Sequence, residues 1–121
     1  SITFCSKYNL LTCKATGNIK AQDFIDLIES VKGYASRTEK IKVLLDFLEM
    51  KVSYPIRQQT VLIKAFKESL KHFTWVLVAN IVNTPRESEY CTLFRDELYS
   101  FSNLQFNIYS TKEAAIQWLN N

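Results

Sequence analysis

Two nearly continuous apolar runs of strand length, Ile41-Lys42-Val43-Leu44-Leu45-Asp46-Phe47 and Phe73-Thr74-Trp75-Val76-Leu77-Val78-Ala79, constrain this chain more than any other feature in it. A strand that alternates apolar with polar residues keeps one wet face, whereas a strand that is apolar nearly throughout has to be covered on both. Between the two runs Leu62, Phe66 and Leu70 recur at helical spacing. Two doubly covered strands joined by a helix form a parallel unit with a right-handed crossover, so the chain is expected to place helices on a mainly parallel sheet.

The remaining segments fit around that unit. Ile2-Thr3-Phe4-Cys5 and Leu11-Thr12-Cys13-Lys14-Ala15 alternate, are separated by Ser6-Lys7-Tyr8-Asn9, and read as an opening hairpin whose second strand is closed by Gly17-Asn18. Phe24, Leu27, Ile28 and Val31 predict a helix from about residue 21 to 32, stopped by Gly33, with Asp23, Asp26 and Glu29 on its solvated face. Ser53-Tyr54-Pro55 is expected to start a second helix that reaches Lys71 and carries Arg57, Lys64, Glu68 and Lys71 on its outer side. Thr84-Pro85-Arg86-Glu87 has the pattern of a capping box, and Tyr90, Phe94, Leu98 and Phe101 mark the buried face of the helix that follows. Leu104-Gln105-Phe106-Asn107-Ile108 alternates as an edge strand should, and Ser110-Thr111-Lys112-Glu113 is a second capping-box pattern ahead of Ala114, Ala115, Trp118 and Leu119.

The reading is one α/β domain over residues 1–121, in the order β-β-α-β-α-β-α-β-α. It has a five-stranded mixed sheet, an N-terminal antiparallel hairpin and four helices. A chain of 121 residues with only two Gly and two Pro has little room for irregular loops. No composition shift, repeat or linker divides it.

Most chemistries fail on counting. The net charge of +3 is far from the concentrated basic footprint of a nucleic-acid binder, so no nucleic acid is expected. No apolar run is long enough to span a bilayer, and a cytoplasmic location is expected. Cys5, Cys13 and Cys91 lie in apolar segments without metal-ligand spacing and read as reduced, buried thiols that act as small hydrophobes. His72 is the single histidine, beside Lys71 with no nucleophile motif near it in sequence, and reads as a helix-end or exposed ring. With Gly17 and Gly33 alone there is no Gly-rich phosphate loop. Asp46 and Glu49 lie close together but show none of the contrast in environment that acid–base work needs. A receiver domain would need an acidic pair after its first strand, where this chain has Cys5 and Ala15. No enzyme and no cofactor are expected.

Two constellations remain. Arg57, Arg86 and Lys112 each fall within about the first turn of a helix that follows a strand, and these starts share the carboxyl edge of a parallel sheet, where peptide dipoles favour anions. Phe47, Leu48, Met50 and Tyr54 fall in a segment expected to be a loop after the third strand, and exposed together they would form an apolar interaction patch.

The order of elements, the segment Val43-Leu44-Leu45-Asp46-Phe47, and the closing stretch from Phe106 through Ile108-Tyr109-Ser110-Thr111-Lys112-Glu113-Ala114-Ala115 to Trp118-Leu119 together resemble the SpoIIAA-like (STAS/CRAL-TRIO-like) family of small bacterial proteins. The resemblance spans essentially the whole chain. It implies a mixed-sheet fold, non-enzymatic regulatory relatives that bind partner proteins, and more distant relatives that hold lipids. In anti-sigma factor antagonists of this superfamily a phosphorylated serine opens the helix after the Leu-Asp strand, in an Asp-Ser-Ser-Gly-type motif. The matching stretch here is Val52-Ser53-Tyr54-Pro55-Ile56, without the acid or the glycine, so Ser53 reads as a helix cap and not as a phosphorylation site. The expected function is a non-catalytic regulatory or protein-interaction module that binds a protein partner or itself as a dimer, through helix or loop surface. The alternative is a binder of a lipid or small anionic ligand at the carboxyl edge of the sheet.

Overall fold

Both apolar runs are central strands of a five-stranded sheet. The computed structural model describes residues 2–7, 10–34 and 40–120. The strands β1 (Ile2–Lys7), β2 (Leu10–Ile19), β3 (Lys40–Val52), β4 (Trp75–Ile81) and β5 (Leu104–Tyr109) lie side by side in sequence order. β1 pairs antiparallel with β2 and every later pair is parallel. The expected class therefore stands: α/β, with a mixed sheet, an N-terminal antiparallel hairpin and four helices. Residues 8 and 9 of the hairpin connection lie outside the described residues.

The helices are α1 (Ala21–Lys32), α2 (Gln59–Ser69), α3 (Pro85–Leu98) and α4 (Lys112–Leu119). Leu27 and Val31 of α1, Ile63 of α2 and Leu98 of α3 pack on one face of the sheet, against Ile41, Val43, Val76 and Val78. Ala115 and Leu119 of α4 cover the other face over Leu44, Leu77, Ala79 and Ile81. β3 and β4 are thus apolar on both sides because both sides are covered. Each large side chain buried there contributes about 1.5–3 kcal/mol. No helix among the described residues is long and apolar enough to cross a membrane.

Several local expectations are corrected. β2 does not close at Gly17-Asn18 but runs to Ile19, because Gly17 takes a φ of +75°, which lets the chain bend while staying paired with β3. β3 is longer than expected and runs to Val52. Its register against β2 shifts after Asp46, where β3 carries one extra residue. Asp46 Oδ1 accepts the Leu48 N–H at 3.2 Å inside this bulge, so the acid that looked like a strand end shapes an irregularity within the strand. Glu49 faces outward and pairs with Lys14 at 2.9 Å, a surface contact of little energy.

The helix starts also shift. Pro55 precedes a short 3₁₀ turn, Ile56–Gln58, and α2 itself begins at Gln59. At Thr84 no side-chain cap bond forms, Pro85 holds the first position, and Glu87 is buried instead of reaching back to the cap. α4 is capped by Thr111, whose Oγ1 accepts the Ala114 N–H at 3.3 Å, one residue later than the Ser110 expected from the pattern.

Candidate functional site

The carboxyl end of β3 and the chain that leads into α2 are tied together by a set of buried hydrogen bonds. Ser53 N–H donates to the Ile19 carbonyl at 2.8 Å, which extends the pairing of β3 with β2 by one residue. Tyr54 then turns into the core. Its hydroxyl donates to Gln59 Oε1 at 2.7 Å, and Gln59 Nε2 donates to the Tyr90 carbonyl at 3.1 Å. The Tyr90 hydroxyl returns the connection by donating to the Tyr54 carbonyl. The two phenol rings meet edge to face with centroids 5.4 Å apart. Burial, together with the neighbouring Tyr90 and Cys91, pushes the Tyr54 hydroxyl pKa upward, so it stays a donor.

Arg86 closes the arrangement from above. Its Nη2 donates to the Val52 carbonyl at 3.1 Å, and its guanidinium carbon lies 5.5 Å from the centre of the Tyr90 ring. The last carbonyl of β3, the entry to α2 and the first turns of α3 are thereby held together by one basic, one amide and two aromatic side chains.

The expected interaction patch is not on the surface. Phe47, Leu48 and Met50 belong to β3 and not to a loop, and Phe47, Met50 and Tyr54 are all buried. Leu48 is half-buried against the α4 side of the sheet. The bulge after Asp46 is the physical reason: it restores the inward phase of Met50 and Val52, so the strand continues where the pattern of apolar residues suggested a loop. Ser53 is exposed but caps nothing, because the turn that follows is capped at Pro55 without any side-chain bond.

All three cations expected at the carboxyl edge reach solvent, but Arg86 is also engaged with Val52 and Tyr90. Arg57 and Arg86 flank the same β3–α2 junction. Lys112 opens α4, which packs on the opposite face of the sheet. The structure therefore brings two of the three to one junction and sets the third on another layer. Asp46 and Glu49 are occupied in the bulge and the surface pair, and His72 is exposed at the end of the Leu70–His72 turn.

What remains on the surface is the outer side of α2. Arg57, Val61, Lys64, Glu68 and Lys71 follow one another at helical spacing, and all are exposed. Val61 is 56% exposed, one of two large apolar side chains left out of the core among the described residues; the other is Tyr99, at the far end of α3. Lys71 pairs with Glu68 at 3.1 Å, so Arg57 and Lys64 dominate the charge around Val61.

Sequence reasoning placed Tyr90 on a buried face, as it is, but missed Gln59, Asn80 and Glu87 as polar groups of the interior. A signal was present: Gln59 precedes Leu62 by three and Ile63 by four, and Glu87 stands in the same relation to Tyr90 and Cys91, which puts both on buried faces.

No family model matches the sequence, and no curated protein matches it. Solved structures do match, over almost the whole chain. An uncharacterized protein of the DUF3478 family with a SpoIIAA-like fold, from Shewanella loihica PV-4, aligns with a TM-score of 0.63 at 18% identity, covering 98% of this chain and 92% of that one. The anti-sigma factor antagonist SpoIIAA in its unphosphorylated form aligns with a TM-score of 0.66 at 8% identity, covering 99% and 96%. An anti-sigma factor antagonist from Mycobacterium paratuberculosis aligns with a TM-score of 0.58 at 12% identity, covering 100% and 94%. The chain has the SpoIIAA-like fold.

Proposed function

We propose that this chain is a non-catalytic regulatory module that acts by binding another protein, and that the outer side of α2 is the surface it uses. The observation that carries the reading is the stripe Arg57-Val61-Lys64, which sets an exposed apolar side chain of α2 between a cation of the preceding 3₁₀ turn and a cation of α2 itself, on a helix whose start is fixed by the Tyr54, Gln59 and Tyr90 bonds. A rigid helix face of this kind suits an acidic partner surface with a shallow apolar recess, because the helix needs no ordering on contact. The likeness in fold to anti-sigma factor antagonists over the whole chain supports the regulatory class. SpoIIAA itself is described in an unphosphorylated and a phosphorylated form. In this chain Ser53 lacks acidic and glycine neighbours, and its backbone is part of the sheet ladder, so a phosphorylation switch is not part of the proposal.

The test is affinity capture with the wild type, with Val61→Asp and with Lys64→Glu, using Tyr99→Ser as a control at the far end of α3. The proposal requires a protein retained by the wild type and by the control and lost with both α2 variants. Equal retention by all four, or none by any, overturns it. Native mass spectrometry of the freshly purified wild type separates the alternatives. A co-purifying lipid or small anion would favour a ligand at the carboxyl edge near Arg57 and Arg86, and a dimer that Val61→Asp dissolves would make the partner a second copy.

A further inference from the structure

We propose that the space between the sheet and the layer of α1, α2 and α3 is a binding site for one small, neutral, mainly apolar molecule. A cavity of about 80 Å³ lies there. A single water needs only about 10–15 Å³, so the space exceeds what one water fills, while a known apolar cavity of about 150 Å³ takes up benzene or xenon.

The walls choose the chemistry. Among the described residues no charged side chain lines the cavity. The polar groups at its wall are largely engaged within the protein: Gln59 with Tyr54 and Tyr90, the Ser69 hydroxyl with the Phe66 carbonyl at 2.7 Å, and Asn80 Oδ1 with the Cys91 thiol at 3.4 Å. Water held inside a protein needs two to four polar partners, and these walls offer little to it. An ion would lose its hydration with no opposite charge to meet it. Neutral apolar matter has neither difficulty.

Aromatic side chains frame the space and mark its entrance. Phe66 of α2 meets Phe94 of α3 with ring centroids 5.2 Å apart, and Phe24 of α1 meets Phe47 at 5.4 Å. Phe24, Phe66 and Phe94 are half-buried lining residues on three different helices, so a ligand enters between helices and not through the sheet. The volume, about half that of the cavity that takes up benzene, limits the occupant to a molecule smaller than benzene.

The test uses xenon and propionate as probes, read by the methyl resonances of the intact protein. Xenon is expected to shift the methyls of Leu62, Val76 and Val78 and to leave those of Ala115 and Leu119, beneath α4, unmoved. Propionate, small but charged at neutral pH, is expected to move none of them. Val78→Ile, which adds one methylene to the wall, is expected to weaken xenon uptake by about tenfold. If that variant does not fold, the wild-type map decides alone. Xenon shifts that are absent or equal on both faces of the sheet, or propionate shifts as large as those of xenon, overturn the proposal.

Discussion

The Tyr54 hydroxyl donates to Oε1 of Gln59 at 2.7 Å although the two residues sit on different elements, one leaving β3 and the other opening α2. Both are buried, at 5% exposure each, so neither group can exchange its partner for bulk water. Because Gln59 also donates to the Tyr90 carbonyl, and the Tyr90 hydroxyl donates to the Tyr54 carbonyl, the three residues form a closed circuit with each member held twice. Satisfied networks of this kind in a low-dielectric interior rigidify what they join. Here they join the β3–α2 junction to α3.

Breaking the circuit at different points is expected to give unequal costs. Tyr54→Phe leaves one acceptor of Gln59 unmet and should destabilise by about 1–2 kcal/mol. Gln59→Leu strands the Tyr54 hydroxyl, while the Tyr90 carbonyl keeps its helical bond from the Phe94 N–H, and should cost about 1–3 kcal/mol, the desolvation penalty of one buried orphan plus the lost tie to α3. The double variant should be less unstable than the sum of the singles, since the two apolar replacements leave neither a stranded hydroxyl nor a stranded amide oxygen where the bond was. Urea unfolding of the four proteins measures this, and strict additivity would show that the bond carries no coupling.

The circuit also shows where reading the sequence reached its limit. The apolar runs at Ile41–Phe47 and Phe73–Ala79, the period of α1 and the alternation of β5 all report burial, and burial by layers is what defines this fold. They were legible because hydrophobic period is a local signal. The continuation of β3 through Met50 and Val52 was not, because a bulge adds one residue and breaks the alternation that a strand is recognised by. The failure of the Thr84 capping box has a different origin: Glu87 has two places to go, and packing on the buried face of α3 overrides the local bond. The site suffered most from the first effect. Treating residues 47–54 as a loop made core side chains look like a surface patch, and it hid the importance of Val61, whose exposure depends on which face of α2 meets the sheet.

Arg86 offers a separate test of the carboxyl edge. Its bond to the Val52 carbonyl and its placement over the Tyr90 ring give it a structural task on a side chain that still reaches solvent. Arg86→Ala should therefore cost about 1–2 kcal/mol in the absence of any anion. Arg86→Lys should recover little of this, because an ammonium lacks the planar fork that bonds and stacks at once. Thermal melts in phosphate-free buffer check both. A loss seen only when phosphate is added to the wild type would instead assign Arg86 to anion binding.

Glu87 is expected to be a liability at neutral pH. It lies on the buried face of α3, 5% exposed, and its Oε2 has no hydrogen-bond partner among the described residues. A position in the first turn of a helix favours a carboxylate by about 0.3–1 kcal/mol. Burying a carboxylate oxygen that meets no donor costs more than that. Glu87→Gln keeps the shape and removes the charge, so it should leave stability equal or raise it by about 1 kcal/mol in urea unfolding at pH 7. A clear loss of stability would mean that the carboxylate meets a cation or a donor in solution.

Alkaline pH should unfold the protein through groups that its core keeps neutral. Burial pushes the Cys13 and Cys91 thiols from an ordinary value of 9.0 up to about 12, and burial raises Tyr54 as well. As pH rises through 9.0 for the thiols and 10.0 for Tyr54 the unfolded chain releases these protons while the folded chain still holds them, so the folded state binds more protons and stability falls with pH. Below that range the three groups contribute no slope. Each fully decoupled proton steepens the decline by about 1.4 kcal/mol per pH unit. Cys91→Ala, which removes one of them, should be less stable at pH 7 through the small cavity it leaves but should show a shallower decline toward pH 11. Urea midpoints measured across that range decide it. Burial also predicts which thiols react: Cys5, expected from its sequence to be buried, is exposed and should take up iodoacetamide in the native protein, and Cys13 and Cys91 only after urea is added. Prompt labelling of Cys91 in the folded protein would show that the space beside it opens more readily than its burial implies.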